Sequence, residues 1–423
     1  MTTEHNGERI SYSYLPPVDG AQLTAKRRNI EFWAHETLGL MGRFPDFCAE
    51  LTVGMLNFAQ VLDRADPRWG ANARAYQQHC ASADLCLTHA LNDQYYDRGK
   101  SAAEQDDPDL ILRVVRETSA GPVVRGVRAL ATLAPVSDEV LVSPNRPRAA
   151  GEADYSLAFA LPMNAPGLKI VCRDLYAEHA DPERFPLTTR FDEVDATLIF
   201  DDVVVPWERI FVYRDPALAF RFFVGTRTWS TYSTMVRLIA KLETFLGVTQ
   251  LLTRWANRDG TPDAQRVFAN YIQDIEVVRA CVQAAEINAV RTDSGLWAPA
   301  IHGGYRLAGI EAADRAERTM QDLLTSYLIV TGGAADVNQP GIGPLIERYF
   351  RGGAPSTPEH LRAMALAADM VMSQFGTRNR LYERLQSGEP DALRKRLSAD
   401  YKDDAPLQRV QRFIAAMDSP VKT

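Results

Sequence analysis

The chain has 423 residues, 46% of them hydrophobic and 24% charged, and a formal net charge of −7. That length can bury a sizeable core in two or three domains or in one large multilayer unit. The acidic balance gives no basic footprint for nucleic acid and no polybasic patch for an anionic membrane.

The sequence indicates neither a membrane-targeting segment nor a cysteine pattern typical of disulfides or metal sites. No apolar run reaches the ~20 residues needed to cross a bilayer, and residues 1–8 lack the apolar stretch of a signal peptide. We therefore expect a cytoplasmic protein. The five cysteines are odd in number and without CxxC spacing, which predicts buried free thiols rather than disulfides or a zinc site. They are Cys48, Cys80, Cys86, Cys172 and Cys281.

The first hundred residues have a helical pattern. Apolar residues recur at intervals of three and four between about 21 and 99, which predicts helices. Pro67 and Gly70 interrupt this pattern within residues 63–70, so we expect a connector between two helices there. His89 follows an apolar segment, and we expect it on an apolar helix.

The pattern changes twice along the rest of the chain. Short β-branched or aromatic runs at residues 121–127, 155–161 and 168–172 are bounded by Gly, Pro, Asn and Asp, which predicts strands. Helical spacing returns after Pro216 and persists. The order predicts an α+β chain with an N-terminal helical domain (1–104), a central antiparallel β domain (105–215) and a C-terminal helical bundle (216–423).

Six motifs stand in a characteristic order. Three of them are Met-Gly-Arg-Phe-Pro-Asp-Phe at 41–47, Thr-His-Ala-Leu at 88–91 and Phe-Gly-Thr-Arg-Asn-Arg-Leu-Tyr-Glu-Arg at 375–384. The others are Ala-Thr-Leu-Ala-Pro at 131–135, Phe-Asp-Glu-Val-Asp-Ala at 191–196 and Phe-Asp-Asp-Val-Val-Val-Pro-Trp-Glu at 200–208. Together they resemble the two-component flavin monooxygenases typified by 4-hydroxyphenylacetate 3-monooxygenase, over nearly the whole chain. The helical leader usual in that family is not apparent before residue 10.

The resemblance implies a fold and an activity. The fold would be that of the acyl-CoA dehydrogenases, with flavin between sheet and bundle and a neighbouring subunit completing the pocket. The activity would be hydroxylation of a phenolic compound by FADH2 and molecular oxygen, through a C4a-hydroperoxyflavin. A separate flavin reductase would supply the FADH2, because no nicotinamide fingerprint is present. The C-terminal bundle would bind flavin and form a homodimer or homotetramer.

The reaction needs a cation or strong donor beside the oxygen chemistry and a hydrogen-bonding pair near the substrate oxygen. By resemblance, Arg43 and His89 are the catalytic residues, although Arg43 paired with Asp46 and a core histidine are the structural alternatives. Phe47 stands where the family has a tyrosine, and a phenyl ring has no hydroxyl to donate. Either Tyr95 or Tyr96 replaces it, the substrate differs, or the activity has drifted; we assign Phe47 and Tyr96 to the substrate.

Flavin contacts are also implied by resemblance. Glycine pairs let a backbone approach a ligand closely, and a guanidinium matches phosphate oxygens. The structural alternatives are a strand residue, a helix C-cap and a solvated helix face. The cofactor-binding set comprises Asp97, Arg98, Thr132, Gly332, Gly333, Arg351, Phe375, Gly376 and Arg378. Thr377 replaces the second glycine of the family's Phe-Gly-Gly-Arg motif.

Three other functional classes are alternatives to a monooxygenase. An iron–sulfur hydroxyacyl-CoA dehydratase of the same superfamily would need cysteines and a histidine as ligands, but Cys80 and Cys86 are six apart and no CxxxC occurs. An acyl-CoA dehydrogenase-like oxidase lacks an evident acidic base in the glycine-rich C-terminal region. A degenerate, non-enzymatic flavin-fold scaffold is the alternative from a different class. Flavin binding discriminates it, because a scaffold need not gain stability from FADH2. No metal site is predicted.

Overall fold

The computed structural model describes residues 1–43, 46–330, 332–386 and 388–417; the side chain of Asp46 is not described. The helices are α1 (Gly20–Glu36), α2 (Asp46–Ala65), α3 (Pro67–Ala83), α4 (Thr188–Phe191), α5 (Pro216–Gly225), α6 (Thr228–Trp255), α7 (Pro262–Ile287), α8 (Gly303–Leu324), α9 (Tyr327–Val330), α10 (Gly343–Phe350), α11 (Thr357–Val371), α12 (Gln374–Gln386), α13 (Pro390–Asp400) and α14 (Ala405–Met417). The strands are β1 (Thr2–His5), β2 (Glu8–Ser11), β3 (Leu87–Ala90), β4 (Arg113–Glu117), β5 (Pro122–Thr132), β6 (Glu139–Val142), β7 (Leu157–Pro162), β8 (Leu168–Cys172), β9 (Asp195–Val204), β10 (Ile210–Tyr213), β11 (Val290–Arg291) and β12 (Trp297–Ala298).

Two four-stranded sheets form the central region. One has the order β4-β5-β9-β8 and is antiparallel throughout. The other has the order β10-β7-β6-β3, in which only the pairing of β3 with β6 is parallel. The predicted strands at 121–127, 155–161 and 168–172 are confirmed as β5, β7 and β8.

The prediction of a helix around His89 is wrong. Helix α3 ends at Ala83, where Asp84 adopts a left-handed backbone with φ of 49°. The chain then runs as β3, and Leu87 and Ala90 align with residues of β6. The backbone N–H and C=O groups of β3 are hydrogen-bonded to β6, about fifty residues further on. In a helix, the same groups would bond to residues four positions away. Because β3 precedes residue 105 and joins a central sheet, the division at 104/105 stays a prediction.

The connector predicted at 63–70 is confirmed and has a local cause. Helix α2 ends at Ala65, and the Asp66 side chain caps α3 by accepting the backbone N–H of Arg68. Pro67 occupies the first helical turn, where its missing N–H costs no hydrogen bond.

Two apolar cores flank helix α2. One lies among the sheets, α2 and α3, and includes Phe47, Leu141 and Phe159. The other lies inside the C-terminal bundle and includes Val53 of α2 together with Phe375. Helix α2 therefore joins sheets and bundle, and its first turn lies where the two layers meet.

All five cysteines are free thiols, but they are not all buried as expected. Cys48 and Cys80 are buried, Cys86 and Cys281 are intermediate, and Cys172 is exposed. Cys172 ends β8, which is an edge strand, so one side of its backbone has no neighbouring strand. Within the described part of the chain, no helix is long and apolar enough to span a bilayer.

Candidate active site

The loop that carries Arg43 is held by a buried carboxylate from the sheet layer. Glu193, just before β9, accepts the backbone N–H of Gly42 at 3.1 Å and that of Arg43 at 2.5 Å. Glu193 is only 1% exposed, so these bonds are shielded from competing water. Phe44 and Pro45 of the same motif lie outside the described residues.

The bundle holds the same loop from the other side. The Tyr382 hydroxyl on α12 donates to the Gly42 carbonyl oxygen at 2.8 Å, and the Arg43 guanidinium carbon lies 5.5 Å from the Tyr382 ring centre. A Cβ added at Gly42 would lie 2.3 Å from that ring. The close approach of loop and helix therefore requires a residue without a side chain at this position.

Arg378 connects this loop to the sheet. Its guanidinium binds Glu193 at 3.0 Å and Asp195 at 2.5 and 2.8 Å. The Thr132 hydroxyl donates to the same Asp195 carboxylate at 2.7 Å. Two residues predicted to contact flavin, Thr132 and Arg378, are thus brought together by Asp195. We call Arg43, Glu193, Arg378, Asp195 and Thr132 the motif network.

Electrostatics within the motif network follow from burial and pairing. Burial alone would raise the pKa of Asp195, but the hydrogen bond and charge of Arg378, with the Thr132 hydroxyl, hold that pKa below its ordinary value. Burial alone would lower the pKa of Arg378, and its two carboxylate partners raise it instead. The ion pair is therefore fully charged at neutral pH.

His89 and Phe47 lie next to the motif network. The Phe47 ring meets His89 edge to face, with ring centres 5.5 Å apart, and the Arg43 guanidinium stacks on Phe47 at 4.1 Å. Burial, followed by the charges of Arg43 and Arg227, lowers the pKa of His89 well below its usual range. His89 is therefore neutral at pH 7, with one ring N–H to donate and one nitrogen to accept.

Several buried polar atoms here have no hydrogen-bond partner among the described residues. They are Nε and Nη1 of Arg43 and Nδ1 of His89. Buried polar groups are nearly always paired, and a ligand or water supplies the partner when protein does not. These orphaned donors and acceptors fit a bound molecule with polar oxygens and nitrogens, such as a flavin or a phenol.

A small cavity adjoins His89. Its walls are mainly aliphatic and aromatic side chains from α2, α5 and the sheet of β3, β6, β7 and β10. The lining residues are Leu51, Met55, His89, Leu91, Leu141, Val142, Ser143, Phe159, Phe211, Phe222, Phe223, Thr226 and Arg227. An apolar pocket with a few polar groups suits an aromatic ring with a polar substituent.

The other predicted residues lie apart from this cluster or are engaged in packing. Tyr96 is 76% exposed, and Asp97 and Arg98 are exposed beside it on the loop after β3. Tyr95 does not face the cavity as a free donor, because its hydroxyl bonds Asp93 at 3.0 Å and receives Arg148 at 3.0 Å. Neither tyrosine therefore stands in for a hydroxyl at Phe47 in this structure.

The predicted C-terminal flavin contacts make contacts inside the chain. Phe375 is fully buried in the bundle core, and a Cβ at Gly376 would lie 2.4 Å from the Met370 carbonyl oxygen, so both pack α12 on α11. The Gly333 N–H donates to Asp336 at 2.8 Å, beside Gly332, and Arg351 is exposed. Among the described residues, Arg378 is the only one of the predicted C-terminal flavin contacts that forms hydrogen bonds or ion pairs with the rest of the motif network.

Four residues of the candidate site were not predicted from the sequence: Glu193, Asp195, Tyr382 and Arg227. Glu193 and Asp195 lie in a motif quoted for its resemblance, and their alternation just before and at the start of β9 was the available signal. Tyr382 lies in the C-terminal motif, one turn after Arg378 on the same helix face. Arg227 had no signal, because it belongs to none of the motifs.

Known proteins share this sequence over nearly its whole length. Family models described as 4-hydroxyphenylacetate 3-hydroxylase, N-terminal and C-terminal, match residues 1–212 and 219–415. The oxygenase component of 4-hydroxyphenylacetate 3-monooxygenase from Thermus thermophilus is 33% identical over 419 residues, covering 98% of this chain and 86% of its own length.

Solved structures agree. The crystal structure of the oxygenase component of 4-hydroxyphenylacetate 3-monooxygenase, complexed with FAD and 4-hydroxyphenylacetate, superposes with a TM-score of 0.92 at 32% identity. That match covers 98% of this chain and 87% of the other. Glutaryl-coenzyme A dehydrogenase, at 14% identity and a TM-score of 0.55, shares the fold over 92% of this chain and 82% of its own. The expected acyl-CoA dehydrogenase-like α+β fold is confirmed.

Proposed function

The chain belongs to the 4-hydroxyphenylacetate 3-hydroxylase family, and we propose that it is the oxygenase component of a two-component monooxygenase. It hydroxylates a phenolic small molecule with reduced FAD and molecular oxygen. When bound, the reduced flavin supplies activation of oxygen for transfer to the ring. The protein supplies positioning, charge and exclusion of water.

One observation carries the proposal. Four separated motifs meet in the motif network, where Arg43, Thr132 and Arg378 are linked through Glu193 and Asp195. Phe47 contacts both Arg43 of the network and His89, and His89 lines a cavity. A degenerate scaffold would have no need to keep buried polar atoms of Arg43 and His89 without partners, since each costs desolvation free energy.

The roles of the residues follow from their surroundings. Arg43 is the cation beside the oxygen chemistry, with its guanidinium held between Phe47 and Tyr382. The neutral His89 orients the substrate oxygen and accepts or donates a hydrogen bond there. Phe47 packs its apolar ring against both His89 and Arg43, and we propose that it borders the substrate there. Tyr96 lies on the exposed loop after β3, and we propose that it contacts a part of the substrate other than the phenolic oxygen.

The residues that would hold FAD are those that remain accessible or border the network. Asp97, Arg98 and Arg351 are exposed, and Gly332 and Gly333 allow close backbone approach. Thr132 and Arg378 would border the flavin while keeping their bonds to Asp195. Phe375 and Gly376 would set the position of α12 behind it.

We propose a homodimer or homotetramer. Helix α14 exposes Leu407, Val410, Phe413 and Ile414, each at least 57% accessible in the single chain. An amphipathic helix with one apolar face in water costs solubility, and a symmetry-related copy can cover it. Sedimentation of the FADH2-bound protein tests this, and a monodisperse monomer would contradict it.

The remaining partner is a separate flavin reductase, which delivers FADH2 by diffusion. Free reduced flavin reacts with oxygen in solution, so the donor and acceptor proteins need the same compartment. We propose the cytoplasm, where reduced nicotinamide is available to the reductase.

The decisive experiment combines the purified chain, any flavin reductase, NADH, FAD and ¹⁸O₂ with a panel of phenols. We expect a hydroxylated product that carries one ¹⁸O atom, and no product when FAD or the chain is omitted. In anaerobic melting experiments, FADH2 should raise the melting temperature more than oxidised FAD, and NADH alone should not change it. Absence of both the product and the FADH2 stabilisation would favour the scaffold.

A further inference from the structure

The cavity beside His89 has one cationic side chain in its wall. Among the lining residues that the structure describes, the polar side chains are His89, Ser143, Thr226 and Arg227. Arg43 is not part of the wall; its guanidinium stacks on Phe47, and Phe47 meets His89. The cation at the cavity surface is therefore Arg227, which lies between α5 and α6.

Arg227 has few protein partners. Its Nη2 donates to the Gln386 carbonyl oxygen at 3.0 Å, and its guanidinium carbon lies 4.8 Å from the Phe223 ring centre. Apart from Asp46, whose side chain is not described, no carboxylate of the described residues forms an ion pair with it. An arginine fork has five N–H donors, and the structure gives one of those of Arg227 an acceptor among the described protein atoms.

The neighbours of Arg227 add positive rather than negative charge. Burial, then the charges of Arg306 and Arg43, lower the pKa of Arg227 to about 9, and Tyr382 and Cys48 act in the opposite direction. At neutral pH the side chain is still cationic. A cation buried in this way attracts an anion more strongly than the same cation would in water, because the lower local dielectric constant strengthens the interaction.

Because residue 47 is a phenylalanine, the substrate oxygen needs a hydrogen-bond donor from another residue. A phenyl ring gives no hydrogen bond to a substrate oxygen, and the hydroxyl of Tyr95 is already engaged with Asp93 and Arg148. His89 and Arg227 both line the cavity, so each can donate an N–H to a molecule bound there.

We propose that Arg227 binds the phenolic oxygen of the substrate as the phenolate, with His89 as its second hydrogen-bond partner. This inference rests on the proposed function and names its substrate form. On binding, the phenol O–H releases its proton to bulk water, and the phenolate oxygen pairs with the guanidinium. The negative charge makes the ring a better nucleophile at the carbons ortho to the oxygen.

The probe is 4-nitrophenol, whose phenolate absorbs visible light and whose phenol form does not. It is titrated with pH against the FAD-loaded chain, in difference mode with FAD in both cuvettes. The apparent pKa of the bound probe should lie below that of the free probe. Arg227→Met should raise that bound pKa by about 1–2, as expected for loss of one charge-assisted hydrogen bond, and Arg227→Lys should restore part of the shift.

Arg306→Met is the matched control. Arg306 carries the same charge near Arg227 but does not line the cavity. It should move the pKa of the bound probe much less than Arg227→Met does. Equal effects of the two variants, or none from Arg227→Met and Arg227→Lys, would overturn the proposal in favour of a diffuse field.

Phenylacetate separates the two possible anions, since it has a carboxylate and no phenolic oxygen. We expect Arg227→Met to change its dissociation constant less than threefold, while that of 4-nitrophenolate rises about 10–100-fold. A larger loss for phenylacetate would show that Arg227 binds a carboxylate instead. If the wild-type chain bound neither probe, the proposed function itself would fail, which is a different outcome from wild-type binding that Arg227→Met leaves unchanged.

Discussion

Arg378 of helix α12 forms a buried ion pair with Glu193 at 3.0 Å, and the same carboxylate holds the backbone of the loop that carries Arg43. One side chain from the bundle thereby fixes a loop that begins helix α2. The two residues are 185 positions apart in the sequence. Their pairing makes the geometry around Arg43 depend on the docking of bundle and sheet.

Removal of Arg378 should be costly. Arg378→Ala leaves the buried Glu193 carboxylate without its cation and leaves Asp195 with Arg173 alone, at 3.4 Å. We expect the free energy of unfolding to fall by about 3–5 kcal/mol. Arg394→Ala on α13 is the control, because Arg394 and its partners Glu311 and Asp391 are each at least 50% exposed, and such ion pairs contribute below about 1 kcal/mol. Urea unfolding measures both. Similar losses for the two variants would contradict a special role for the Glu193 pair.

Flavin affinity gives a second measurement on Arg378→Ala. If Arg378 borders the cofactor as proposed, the affinity for FADH2 should weaken by roughly 1.5–3 kcal/mol. Anaerobic fluorescence titration at a temperature where the variant is folded measures it. An unchanged dissociation constant, together with reduced stability, would assign Arg378 to the scaffold alone.

Gly42→Ala should displace the Arg43 loop. The new Cβ would lie 2.3 Å from the Tyr382 ring, and overpacking of this kind costs about 1–3 kcal/mol. We expect lower stability together with more hydrogen peroxide per hydroxylated product. Gly247→Ala is the opposite control: its Cβ meets nothing within 4 Å in α6, so helix propensity should raise stability by about 0.5–1 kcal/mol. A Gly42→Ala variant with normal coupling would count against the loop constraint.

His89→Ala should separate flavin binding from chemistry. Loss of the group that orients the substrate oxygen should reduce product formation by roughly 10²–10⁴, while FADH2 binding and the melting temperature change little. Hydrogen peroxide should accumulate, because oxygen is consumed without transfer to the ring. His79→Ala, whose side chain is 45% exposed beside Glu139, should leave product yield unchanged. Equal yields for wild type and His89→Ala would remove His89 from the reaction.

Phe47→Tyr should be tolerated and should favour simple para-substituted phenols. The new hydroxyl would enter a cluster in which Arg43 Nη1 and His89 Nδ1 are buried without described partners, so it can be paired. Phe58→Tyr is the control: Phe58 packs against Phe222 in an apolar core, where an unpaired hydroxyl costs about 1–3 kcal/mol. An equal stability loss at position 47, with no gain in turnover, would mean that Phe47 packs directly against the native substrate.

Glu317 should give the protein a distinct pH dependence. Burial raises its pKa from 4.5 to about 7, although Lys241 and Arg380 oppose the shift. The folded state therefore binds an extra proton between about pH 4.5 and 7, and stability falls as pH rises through that window. The difference in unfolding free energy between Glu317→Gln and wild type should change by roughly 3 kcal/mol in favour of the variant from pH 4.5 to 8. A constant difference across this range would show that Glu317 ionises normally.

Local patterns were sufficient to predict the order of helical and strand-rich regions and three of the strands. The break at Asp66 and Pro67 marked the end of α2 and the start of α3 because a side-chain cap and a proline act within one turn. Residues 87–90 were misassigned because their conformation depends on β6, a strand about fifty residues away. Nothing in Leu-Thr-His-Ala reports that partner, and a four-residue parallel strand has too few positions for a recognisable period.

For the candidate site too, the sequence determined some features and the tertiary structure determined others. Sequence alone determined which motifs are present, and hence the family and its flavin cofactor, and it proposed Arg43, His89 and Phe47 as site residues. Tertiary structure alone decided that Glu193 and Asp195 join Arg43, Thr132 and Arg378, and that Arg227 faces the cavity. The physical reason is that a carboxylate can pair with any of the many arginines in a chain of 47 basic residues. Only the packing of sheet against bundle selects which ones come within hydrogen-bonding distance.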